Sequence, residues 1–91
     1  MRRTGKRWHL YILECADGSL YTGIALDVEK RFQQHKAGKG SKYLRSRVPK
    51  RLVYRKSFSA KSPALKKEIA IKKLPRQKKL ALIGQKAHLA S

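Results

Sequence analysis

Acidic residues are scarce in this chain: five Asp and Glu stand against 24 Lys and Arg in 91 residues, for a formal net charge of +19. Catalysis on a neutral ligand has no use for such an excess, whereas it raises phosphate density at the surface and speeds encounter with a polyanion. Nucleic acid is the partner this charge favours, although an anionic membrane or a place on the ribosome would carry the same balance. Cys15 is the only cysteine, which excludes a disulfide framework and a cysteine zinc cluster and fits a cytoplasmic location. No segment approaches the roughly 18 apolar residues of a membrane span. The basic start is followed by a short apolar stretch containing His9 and Glu14, unlike the core of a signal peptide. The expectation is a soluble protein with one small core, since so short a chain supports a single domain. Its basic residues are spread through the sequence instead of collecting in a tail, as befits a folded basic domain.

Residues 1–6 read as a disordered basic arm, 7–84 as the domain and 85–91 as a flexible tail. Trp8 to Cys15 is rich in aromatic and branched residues, Asp17-Gly18 is a turn signal, and Leu20 to Ile24 resumes the strand pattern, so 8–24 predicts a β-hairpin. A strict two-residue loop would pair Tyr21 with Glu14 and put Tyr11 and Tyr21 on opposite faces. A three-residue turn with a bulge, pairing Tyr21 with Cys15, sets Tyr11, Tyr21 and Gly23 on one face, and this is the register expected here. Asp27 can cap a helix running to about Ala37, with Val28 and Phe32 inward and Gly38 and Gly40 at its end. The following loop, 39–50, holds five basic residues and offers Lys39, Lys42, Tyr43, Arg45 and Arg47 as a phosphate-contacting surface. Arg51 to Phe58 predicts a third strand, and Ser62-Pro63 starts a second helix. Pro75 breaks that pattern and opens a last helix through Ile83, with Gly84 as its stop.

Glu68 stands out in the second helix. At about 100° per residue, Ala64 and Ile71 fall on one side of it and Leu65 and Ile69 on the other, so the pattern turns a carboxylate toward the core. An unpaired buried charge costs several kcal/mol, so the position calls for a cation. Lys72, four residues on, would supply one at the helix surface for a gain of a few tenths of a kcal/mol, which suits a partly exposed acid better than a central one. A metal ion is the other reading, and spacing leaves both open. Arg31 and His35 lie one turn apart beside Val28 and Phe32 and can border a cleft. Spacing alone favours the plainer reading, an arginine laid over the core and a solvated histidine. Tyr11, Tyr21, Tyr43 and Tyr54, each taken alone, fit as ordinary strand and loop aromatics. The remaining acids are spoken for: Asp17 in the turn, Asp27 at the helix start, Glu29 on an exposed helix position and Glu14 on the strand face opposite Tyr11. No acid pair is left for a two-metal site.

The run His9-Leu10-Tyr11-Ile12-Leu13, then Tyr21-Thr22-Gly23, then Arg31 and His35, then Glu68, resembles the GIY-YIG nuclease superfamily. The resemblance covers residues 8 to about 83 and is nearest the small single-domain bacterial branch. Each triplet is a weak signal, whereas five elements in this order and spacing are specific. The resemblance implies an α+β fold, a small three-stranded antiparallel sheet flanked by helices, with the site on the sheet face. It implies Tyr11 and Tyr21 as the motif tyrosines and Gly23 as the glycine that keeps room beside them. It likewise implies Arg31, His35 and Glu68 as the helical arginine, histidine and metal-binding glutamate. His9-Leu10 stands where the family has Gly-Ile, and Thr22 where it has Ile. An asparagine used by some members is absent, since the chain contains none.

The mechanism expected from this is hydrolysis of a DNA phosphodiester with a single Mg²⁺ or Mn²⁺ held by Glu68 and no small-molecule cofactor. Surrounding positive charge would lower the Tyr11 phenol from its usual value near 10 so that it takes a proton from water. Arg31 would neutralise charge on the phosphate, while Tyr21 and His35 orient water and phosphate or assist proton transfer. Backbone contacts position without reading sequence, so selectivity would be for structure or slight, with repair or recombination as the setting. A different reading is a non-catalytic module binding DNA or structured RNA. A third is a ribosome-associated basic protein.

Overall fold

The computed structural model describes residues 7–40, 42–45 and 47–90. Strands β1 (Trp8–Cys15), β2 (Leu20–Ala25) and β3 (Pro49–Phe58) form an antiparallel sheet in the order β2-β1-β3. Helices α1 (Val28–Lys36), α2 (Lys61–Lys72) and α3 (Arg76–Ala90) accompany it, and a one-turn 3-10 helix at Tyr43–Arg45 interrupts the connection from α1 to β3. The fold is the α+β arrangement expected.

Because side chains alternate along a strand, the central strand β1 feeds two cores. Leu10 and Ile12 pack with Tyr54 and Ile71 on one face, while Tyr11, Leu13 and Cys15 pack with Ala25, Val28 and Leu44 on the other. A strand covered on both faces needs apolar residues at consecutive positions, which is why Leu10, Tyr11, Ile12 and Leu13 form an unbroken run. Each large side chain buried there contributes about 2 kcal/mol.

The hairpin turns through three residues, 16–18. The Gly18 amide donates to the Cys15 carbonyl at 2.9 Å and the Cys15 amide to the Ser19 carbonyl at 2.9 Å. Gly18 has φ of 86°, the left-handed conformation that a bulged turn of this length needs. The Asp17 carboxylate accepts from the Ser19 hydroxyl at 2.6 Å and the Ser19 amide at 3.0 Å. Those two bonds, with Arg47 nearby, hold it below the usual carboxylate range. Tyr21 therefore pairs with Leu13 and Gly23 with Tyr11, so the expected partner of Tyr21, Cys15, is displaced by two residues. A shift of two preserves the face, and Tyr11, Tyr21 and Gly23 stand together.

Asp27 caps α1 by accepting from the Lys30 amide at 3.0 Å, and the chain leaves the helix through Gly38 at φ 76°. Three boundaries differ from expectation. β3 starts at Pro49, where a proline's missing donor is harmless at the first position of a strand, and Pro49 pairs with Cys15. α2 begins at Lys61 behind Ala60, with Ser62 and Pro63 inside a first turn whose amides have no helical acceptors to lose. α3 runs through Gly84 to Ala90, since one helical glycine costs about 1 kcal/mol and does not by itself end a helix. The basic arm expected at 1–6 lies outside the described residues, as do Ser41, Ser46, Ser91 and the side chains of Arg45 and of residues 85–90.

Candidate active site

Tyr11 and His35 are each only 1% exposed, and the Tyr11 Oη lies 3.0 Å from the His35 Nε2. The expectation of a solvated His35 is overturned: the last turn of α1 directs the ring onto the sheet face instead of into water. Two glycines make the room. A Cβ on Gly23 would sit 2.6 Å from the Tyr11 Oη and 2.8 Å from its Cζ, and a Cβ on Gly40 would sit 2.0 Å from the His35 Nδ1. Gly40, read from sequence only as a helix terminator, is a wall of this pocket, and no local pattern marks it as one. Alanine at either position forces a buried ring to move, so Gly23→Ala and Gly40→Ala should each cost about 1–3 kcal/mol in urea unfolding. Each should also shift the His35 ring resonances.

Around this pair the other groups gather. The Tyr21 ring meets His35 edge-on at 5.3 Å between centroids and lies 6.3 Å from Tyr11. Tyr43, from the 3-10 turn, stacks on Tyr21 at 5.8 Å, and the Arg47 guanidinium lies 4.4 Å over the Tyr43 ring while pairing with Asp17 at 3.4 Å. Two members of the expected phosphate-gripping loop thus cover the site. Lys39 and Lys42 are exposed on the same connection. Arg31 is exposed and donates to the Gln34 Oε1 at 3.1 Å.

The electrostatics correct one expectation in sign. Burial, followed by the neighbouring Tyr21, pushes the Tyr11 phenol up to about 12, although Arg31 pulls the other way through its charge and hydrogen bonding. A positive surface cannot lower a phenol that has lost its hydration. His35 is lowered from its usual 6.5, first by burial and then by the Arg31 charge. At neutral pH the pair is a neutral phenol against a neutral imidazole, and Tyr11 donates in the tautomer that leaves the His35 Nε2 unprotonated.

Glu68 lies at the edge of the buried stripe of α2. Ala64 and Ile71 are buried, but Leu65 and Ile69 are 40% and 48% exposed, so the flank expected to cover the acid is open. The carboxylate is nonetheless only 13% exposed, pairs with Lys72 at 3.4 Å, and contributes to keeping Tyr11 protonated. The inward acid and the Lys72 partner are both present. Tyr21, Tyr43, Lys72 and Lys79 border a cleft of about 420 Å³, which gives the site an open side. A larger depression of about 580 Å³ along Tyr54, Arg55, Lys56 and Ser57 contains none of these groups. Glu14 pairs with Arg51 at 2.7 Å, and Glu29 with Arg55 at an exposed position.

Phenols, imidazole and guanidinium gathered at one face of a three-stranded sheet, with a carboxylate from α2 within electrostatic reach of the central phenol, define a class. The profile of the GIY-YIG catalytic domain matches residues 7–81, and the chain belongs to the GIY-YIG family. Membership points to nuclease-type chemistry on a nucleic acid. The UPF0213 protein Reut_B5558 of Cupriavidus pinatubonensis is 53% identical over 80 residues, covering 88% of this chain and 89% of that one. The solution structure of the UPF0213 protein BH0048 of Bacillus halodurans is similar with a TM-score of 0.59 at 46% identity, over 88% of this chain and 85% of its own. That of EF2693 from E. faecalis gives 0.61 at 35% identity, over 97% and 93%.

Nucleases of this family generally use a divalent metal, so the donor set can be tested for one. Among the described residues no three His, Cys, Asp or Glu side chains gather into a cage. Glu68 alone is suited to a hard cation that keeps most of its water and takes its remaining ligands from a phosphate. The donor chemistry fits Mg²⁺ or Mn²⁺ on that acid, with Lys72 as the cation that must give way.

Proposed function

We propose that this protein is a metal-dependent endonuclease that hydrolyses DNA phosphodiester bonds with structural or slight selectivity. The observation that carries this is the buried 3.0 Å contact between Tyr11 and His35, with the Glu68 carboxylate within electrostatic reach of the phenol. A phenol near 12 is a poor base by itself. Coupled to a neutral imidazole it need not ionise: as its oxygen takes a proton from the attacking water, its own proton passes to the His35 Nε2. Arg31 neutralises charge on the phosphate, and Tyr21 holds the imidazole edge-on and fixes its direction. Glu68 would hold a divalent ion, which when bound would supply charge stabilisation to the phosphate. Lys39, Lys42, Tyr43 and Arg47 would grip the flanking backbone, as would Arg45, whose side chain lies outside the described residues. A cytoplasmic setting in repair or recombination is consistent with this reading. Among the described residues no helix is long and apolar enough to cross a membrane.

The test is conversion of supercoiled plasmid to nicked circles by purified protein with Mg²⁺ or Mn²⁺, compared with EDTA. Failure of both metals on plasmid and branched DNA would leave the non-catalytic nucleic-acid-binding module as the reading. The pH profile checks the relay. His35 is active when neutral, and its pKa is lowered, so the rate should climb through a midpoint below 6.5 and then stay level to about pH 9. If Tyr11 acted as an unaided phenolate, the rate would instead rise about tenfold per pH unit across the alkaline range.

A further inference from the structure

A second groove lies at the end of the β2 edge, between Trp8 and the first turns of α1. Trp8, Ile24 and Leu26 provide its apolar surface, with Lys30, Arg31 and Gln34 along the α1 side, around a volume of about 360 Å³. The Lys61 ammonium lies 5.1 Å from the centroid of the Trp8 ring and adds positive charge at that end. Asp27, the acid among the lining residues, is committed as the α1 cap through its bond to the Lys30 amide. Leu26 is 42% exposed, so an apolar side chain stays in water beside an indole and three cations. Flat aromatic surface interleaved with basic side chains suits a nucleic-acid strand whose bases are free to stack, since every base has a face for the indole and a phosphate for the cations. A paired base cannot present that face.

Arg31 belongs to both places. It lines this groove, and its charge also acts on Tyr11 and His35. We propose that the groove takes an unpaired base of a DNA strand next to the phosphate engaged by Arg31, so that the protein selects DNA with at least one unstacked nucleotide at the target. This rests on the endonuclease reading for Arg31 and names the substrate feature that reading leaves open.

Trp8 is the sole tryptophan, so its emission reports this groove alone. The full chain is titrated with a short single strand of DNA, an abasic strand of equal length and a blunt duplex, following Trp8 emission and, by anisotropy, binding. The single strand should change the emission saturably and bind about tenfold more tightly than the abasic strand, which keeps the phosphates and lacks the bases. Abasic strand and duplex should bind through charge without that change. Leu26→Gln, at a solvent-facing position, should reduce the preference for bases about fivefold with an unchanged circular dichroism spectrum. Trp8→Ala should abolish the preference. Equal emission changes from normal and abasic strands, or an undiminished preference in Leu26→Gln, would overturn the proposal, as would a response to single-stranded RNA and none to DNA. Plasmid nicking separates the two readings. Base-dependent quenching without nicking removes the endonuclease alone, and nicking without base-dependent quenching removes the groove alone.

Discussion

Exchanging Glu68 for glutamine should lower metal-dependent plasmid nicking by about 10³-fold or more while DNA binding survives. A divalent ion contributes several kcal/mol of charge stabilisation, each 1.36 kcal/mol being about tenfold in rate, and Glu68 is the acid available to hold it. Glutamine keeps the shape and loses the charge. The partner left behind, Lys72, has a side chain 52% exposed and can be rehydrated, so the lost pair costs only a few tenths of a kcal/mol. Removing a negative charge from so basic a protein does not weaken its hold on a polyanion. Nicking rates at saturating Mg²⁺, measured beside binding anisotropy, give the answer. Activity within tenfold of the parent would reduce Glu68 to the surface partner of Lys72.

Tyr11→Phe carries the second large effect, a loss of about 10²–10⁴-fold in the chemical step, the range for removing a general acid–base group. The ring still fills its place among Leu13, Ala25 and Val28, but the buried His35 Nε2 loses the phenol. That substitution should therefore also cost about 1 kcal/mol in stability, the net worth of one hydrogen bond. The acid limb of the pH profile should vanish with the activity, because His35 no longer has a phenolic proton to receive. Tyr54→Phe is the matched control. Tyr54 is also buried, and burial likewise raises its phenol, but it packs on the opposite face with Leu10, Ile12 and Ile71. Its nicking rate should be unchanged. Equal losses from the two substitutions would mean that general damage to the sheet, and not the phenol at position 11, governs activity.

The residues that come together were legible because their placement depends on parity and period. Tyr11, Tyr21 and Gly23 share a face in any register displaced by an even number, so pairing Tyr21 with Cys15 instead of Leu13 left the conclusion standing. Glu68 announced itself as a charge in an apolar stripe, although the open flank at Leu65 and Ile69 shows that the stripe was narrower than the pattern implied. What was hidden was set by distant segments. The burial of His35 depends on Gly40 behind it and Tyr11 in front, neither of which bears on the periodicity of α1. The direction of the Tyr11 shift was hidden for a related reason: composition reports the charge of the surface, whereas the phenol responds first to the water it has lost. Arg47 looked like one more cation in a basic loop. Its engagement with both Asp17 and Tyr43 required the hairpin turn to meet that loop in space.

The central position of β1 decides how this protein can discriminate. A strand bonded along both edges and covered on both faces cannot yield to an awkward guest without melting the whole sheet, so Tyr11 is as firmly seated as the fold itself. On the proposed endonuclease reading, accommodation would fall to the DNA: a stiff, fully stacked helix would have to distort to bring its backbone to an unyielding phenol, whereas a nick, fork or bubble would arrive already pliant.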